Sequence, residues 1–115
     1  MPDTITGLTV EVLCDSWARI EDTDHWAVNM LAADRYNAEL PVRHPRADKW
    51  CAMGAVWREA GLRAYEWQRE NALIALREAA RELYDEPISV VNDTRTHADV
   101  ERCYAWAVAY TISGQ

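Results

Sequence analysis

Apolar residues recur near the start of the chain at the three- and four-residue steps of a helix. Val10, Leu13, Cys14, Trp17 and Ile20 share one face, with Glu11, Asp15, Arg19 and Asp22 opposite. This spacing predicts an amphipathic helix over about Thr9 to Asp22. A second helix is expected from about Ala47 to Ala60, closing at Gly61, a residue suited to the left-handed position after a helix end. Every residue between Trp50 and Trp57 is apolar or small, so this helix belongs in the middle of the molecule. Gly54 costs about 1 kcal/mol relative to Ala inside a helix; its presence predicts that another backbone approaches there. A third helix, from about Ala64 to Asp85, puts Ala72, Leu73, Leu76, Ala80, Leu83 and Tyr84 on one face and stops before Pro87. Trp67 and Ile74, seven residues apart, fall on its polar side. Thr96 with Asp99 has capping-box spacing and opens a last helix that buries Val100, Cys103, Tyr104, Ala107 and Val108. Trp106 and Tyr110 lie off that stripe.

Two stretches break the helical period. From His25 to Arg46 the pattern weakens, and Pro41 and Pro45 exclude an uninterrupted helix. A small two-stranded element around Met30 to Val42 is expected there, or a functional loop. The β-branched run Ile88-Ser-Val-Val91 reads as a short extended segment leading into an Asx-type turn at Asn92-Asp93. The expected architecture is mainly α: a single helical domain, 1–115, of about four helices around a Trp-rich central helix, with a small β-hairpin or irregular insert.

Composition adds six Trp and no Phe. Trp joins a large apolar face to one N–H donor, which suits binding hot spots. Trp17, Trp50 and Trp57 lie on core stripes, whereas Trp26, Trp67 and Trp106 lie off them and are expected to be accessible. Trp67, Ile74, Trp106 and Tyr110 form the candidate partner-binding set, and the off-stripe face of the last helix also makes a homodimer reasonable.

The formal charge of −7 argues against direct contact with nucleic acid or an anionic membrane, since both call for excess Lys and Arg. With no membrane-length apolar span and no basic leader, the expected location is cytoplasmic. Cys14, Cys51 and Cys103 are odd in number and widely spaced, and are read as reduced thiols, with Cys51 and Cys103 buried.

Catalytic patterns are missing from the sequence. His25, His44 and His97 with the three cysteines offer no metal-ligand spacing, and Asp22-Thr-Asp24-His25 lacks the glycine and terminal Glu of a calcium loop. There is no G-x-S-x-G elbow or phosphate-cradling glycine loop. No metal, cofactor or enzymatic activity is expected, and His97 is expected to face solvent. One local reversal of charge stands out. Arg35, Arg43, His44 and Arg46, interleaved with Trp26 and Tyr36, could stack a base and pair a phosphate. Asn92, Asp93 and Arg95, at the entrance to the last helix, could add hydrogen bonds to the same ligand.

The hexamer Trp50-Cys51-Ala52-Met53-Gly54-Ala55, a following helix, and Asn92-Asp93 ahead of Thr96 resemble a domain-of-unknown-function family encoded by actinobacteria and their phages. Met53 stands where Leu is typical of that family. The resemblance implies a fold and a phage-type origin, and carries over no catalytic residue. The function expected from the whole reading is a non-enzymatic binding protein, a phage-type accessory or anti-defence factor acting stoichiometrically on a host protein. The alternative is a sponge that sequesters a nucleotide-like small-molecule signal.

Overall fold

The computed structural model describes residues 4–63 and 66–113, with side chains for 6–62 and 69–113. Among the described residues five helices are present: α1 (Thr4–Ile20), α2 (Ala52–Arg63), α3 (Glu66–Tyr84), α4 (Ile88–Thr94) and α5 (His97–Ser113). A 3-10 turn, Thr23–His25, and two short strands, β1 (Ala32–Ala33) and β2 (Lys49–Trp50), lie between α1 and α2. The architecture is therefore mainly helical with a small antiparallel pair, as the periodicity predicts. The Cα radius of gyration, 13.1 Å, is that of one compact body.

Helix α1 packs on α2, α3 and α5, and α2 also meets α3 and α4. The fully buried side chains of α1 are Val12, Leu13 and Ile20, joined by Thr9 and Ser16. Cys14, placed on the buried face by its spacing, is exposed. The buried face includes Thr9 and Ser16, and the Ser16 hydroxyl donates to the Val12 carbonyl, which lets a small polar residue enter the core without losing a partner. Helix α3 buries Ala72, Leu73, Ala75, Leu76, Ala79 and Ala80, but Leu83 is exposed. Helix α5 buries Val100, Cys103, Tyr104 and Ala107 as its stripe requires, and Thr96 Oγ1 accepts from the Asp99 amide at 3.2 Å to cap it.

The insert pairs differently from the expected hairpin. Ala32 and Ala33 pair with Trp50 and Lys49, so the return strand comes from the predicted start of the second helix. The nearer segment makes one bridge, Ala33 with Glu39. Trp50 is 5 % exposed, and drawing its ring into the core from a strand is what moves the start of α2 to Ala52. Cys51 caps that start, its Sγ accepting from the Gly54 amide at 3.2 Å. The α2 helix also runs through Gly61 to Arg63; Gly61 is the place where the Arg43 side chain crosses the helix, and a Cβ there would meet the guanidinium. At Gly54 a Cβ would fall on the Leu31 carbonyl oxygen, the close backbone approach that this glycine predicts.

Residues 88–94 are helical, not extended. Pro87 (φ −61°, ψ 149°) opens α4, and Ile88, Val91 and Asn92 are its buried residues. Their three- and four-residue spacing is helical, and burial of Ile88 and Val91 overrides the modest helix penalty of β-branched residues. Asn92 and Asp93 accordingly sit in the last turn of α4, not in a free turn before α5.

Candidate functional site

Asn92, 2 % exposed, uses its whole amide. Its Oδ1 accepts from Trp26 Nε1 at 2.8 Å and from the Ala52 amide at 3.0 Å. Its Nδ2 donates to the Ala27 carbonyl at 2.9 Å and to Asp93 Oδ1 at 3.0 Å. Asp93 Oδ1 also accepts from the Asn29 amide at 2.8 Å, holding a non-glycine residue at φ 66°. Two adjacent residues of α4 therefore tie the insert to the first turn of α2. Tyr104 completes the junction by donating its hydroxyl to the Ala52 carbonyl at 2.7 Å; burial pushes that hydroxyl well above its ordinary pKa.

His97 is part of the same framework and does not face solvent. Its Nε2 lies 2.7 Å from the Ile20 carbonyl and its ring meets Trp26 edge-on at 5.1 Å, so it links the end of α1 to the start of α5. Trp17 Nε1 donates to Glu101 at 2.9 Å, and the Trp50 ring lies under the Arg19 guanidinium at 4.7 Å. Trp26, expected to be accessible, is packed against the core in the same way as Trp17 and Trp57.

This framework borders a cleft of about 290 Å³ lined by Met30, Leu31, Glu39, Cys51, Met53, Asn92 and Asp93 among others. A neighbouring open hollow of about 470 Å³ shares Leu31 and Glu39 and is otherwise lined by Leu40, Pro41, Val42 and Trp57. The Cys51 thiol at the cleft is raised by burial, partly countered by the Gly54 amide, and burial takes Cys103 up to about 11. Neither thiol is an activated nucleophile. Among the described residues no group of three or more His, Cys, Asp or Glu could hold a metal.

The residues assigned from sequence to a nucleotide-like ligand are divided among several places. Trp26, Asn92 and Asp93 belong to the junction just described. Arg35, Tyr36 and Arg46 line a hollow of about 500 Å³ together with Asp34 and Asp48. There the Arg35 guanidinium lies 5.0 Å from the Tyr36 ring, whose residue is 75 % exposed. His44 Nδ1 accepts from the Arg46 amide at 3.0 Å, and Arg43 lies across Gly61. Arg95 is engaged elsewhere, paired with Glu86 at 2.7 Å and stacked over Tyr84 at 4.4 Å.

The partner-binding set is brought together to a greater extent. Ile74, 47 % exposed, and Tyr110 line one groove where α3 and α5 meet α1, with Thr6, Thr9, Asn71, Ala75 and Thr111. Trp106 stacks on Tyr110 at 4.9 Å with 16° between the rings. Trp106 and Tyr110 are half-buried, so each keeps one part in the core and offers another outside. The Trp67 side chain lies outside the described residues. Asn92 as a junction was not foreseeable as such, because its partners come from residues 26–27 and 52.

No family model, no curated protein and no solved structure matches this chain. No helix among the described residues is long and apolar enough to cross a membrane.

Proposed function

We propose that the protein is a non-enzymatic binding protein that docks a partner protein on the α3–α5 face. The observation that supports this reading most is that Ile74 and Tyr110 border one groove, with Trp106 stacked on Tyr110. Aromatic side chains anchored on one side and free on the other lose little entropy on binding, which is why they serve as hot spots. A phage-type accessory factor acting stoichiometrically on a host protein fits a small acidic domain of this kind. Ile74→Glu tests the reading, because the residue is half exposed and the change should leave stability within about 0.5 kcal/mol. Affinity capture with the wild-type protein should yield a stoichiometric partner that the variant loses. Equal capture by both proteins would refute the assignment of this face.

A second reading is favoured by the Arg35 and Tyr36 hollow, where an exposed aromatic ring and cations could hold a nucleotide. Asp34 and Asp48 in the same hollow oppose a phosphate, which is why the docking reading is preferred. Calorimetry with a panel of phosphorylated nucleotides separates the two, since only the sponge releases or takes up heat saturably.

A further inference from the structure

The cleft beside Asn92 and the hollow next to it share Leu31 and Glu39 in their linings. Their chemistry is unlike that of the Arg35 hollow. Met30, Leu31 and Met53 give the cleft an apolar lining, and Trp57 with Leu40 does the same for the hollow. Among the described residues no Lys, Arg or His lines either one, while Glu39 lines both and Asp93 lines the cleft.

Among the described residues neither carboxylate is paired with a cation. Asp93 uses Oδ1 for the Asn29 amide and Asn92, with no bond from a described residue to Oδ2, and Glu39 is exposed with no ion pair to a described residue. The Asn92 amide, by contrast, is fully engaged within the protein and has no bond to offer a ligand. The recognition left to this cleft is charge attraction by two carboxylates combined with apolar contact. The cleft's volume, about 290 Å³, lies at the lower end of the range for small-molecule pockets.

We propose that this cleft binds a small organic cation, a protonated amine on an apolar body, with Glu39 and Asp93 meeting the ammonium and Met30, Leu31 and Met53 meeting the body. An anion of the same shape is rejected because it would face two carboxylates without a cation to offset them. Thioether side chains adapt to differently shaped apolar bodies, so the site selects for charge and size ahead of outline. The proposal does not depend on the α3–α5 face, which can be right or wrong independently.

The test uses 2-phenylethylamine as probe, with 3-phenylpropionate as a control of similar size and opposite charge. Methyl resonances of Met30 and Met53 report occupancy directly. The amine should shift both methyls saturably, the propionate should not, and Glu39→Gln should raise the Kd for the amine by about fivefold. Asp93→Asn keeps the Oδ1 acceptor for Asn29, so it should weaken binding without unfolding; its retained fold is checked by circular dichroism. The proposal is overturned if neither methyl moves, if amine and propionate bind alike, or if both variants bind the amine as well as the wild type. Binding of a lysine-containing tripeptide with no response to the free amine would overturn it as well, by showing that the cleft takes a peptide.

Discussion

Asn92 shows how a single side chain can set the geometry of three separate segments. Three of its four hydrogen bonds satisfy polar groups of Trp26, Ala27 and Ala52, the last two buried. An unpaired buried donor or acceptor costs about 1–3 kcal/mol. Asn92→Leu keeps much of the volume and removes every bond, so the loss expected from urea unfolding is about 3 kcal/mol or more. Ser89→Ala, on the exposed side of the same short helix, should change stability by less than about 0.5 kcal/mol. A loss below about 1 kcal/mol for Asn92→Leu would show that the junction is held by packing instead. Asp99 gives a second prediction at this scale. Burial raises its carboxyl, but bonds from Tyr84 and Thr96 and the charge of Arg102 outweigh this, so its pKa ends below the ordinary carboxylate value. A carboxyl with a depressed folded pKa stabilises above its unfolded pKa and loses that contribution as pH falls through the folded value. Asp99→Asn should therefore lower the urea midpoint at pH 7, and the gap from wild type should narrow toward pH 3. A gap independent of pH would contradict the assignment.

At the scale of elements, α1, α3 and α5 were legible because each carries a long apolar stripe, although Cys14 and Leu83 at the margins of two stripes are exposed. Helix α4 was not, since seven residues span too few turns to show a period and Ile88, Val90 and Val91 carry a strand-like composition. The start of α2 was also hidden. Its cap is a cysteine, outside the usual set of capping residues, and the Ala52 amide is met by Asn92, 40 positions away. Sequence spacing carries no trace of such a contact. It likewise placed Trp26 off the stripe and accessible, and could not show that Asn92 and His97 would hold its ring against the core. Of the candidate sites, the joining of Ile74 with Tyr110 and Trp106 was legible as off-stripe residues on two helices; the groove past Leu31 was not, because its lining comes from the insert, α2 and α4 together. Gly54 was legible in full, and it yields a prediction about packing between α2 and the insert. Ala is a better helix former than Gly by about 1 kcal/mol. Gly54→Ala should nevertheless destabilise by about 2 kcal/mol, because its methyl would displace the Leu31 carbonyl. Thermal unfolding of the two proteins decides it, and an increased Tm would mean that the insert yields easily.

For the whole molecule, extents of 42 × 31 × 19 Å describe a flattened body, and distinct parts of its surface carry distinct chemistry. The groove past Leu31 and Glu39 is apolar and acidic, the Arg35 hollow mixes both charges, and the α3–α5 groove is lined by neutral residues. A neutral groove beside stacked aromatic rings suits the proposed docking contact, in which apolar burial supplies affinity, and the chain's net negative charge favours encounter with a basic partner. The same face could instead pair two copies of the chain, and sedimentation over a range of concentrations distinguishes that outcome. Hydrogen exchange on the purified complex with a captured partner tests the central claim most directly. Amides and side-chain footprints around residues 69–76 of α3 and 106–112 of α5 should gain protection while the groove past Leu31 does not change. Protection confined to other surfaces, with α3 and α5 exchanging as in the free protein, would contradict the account.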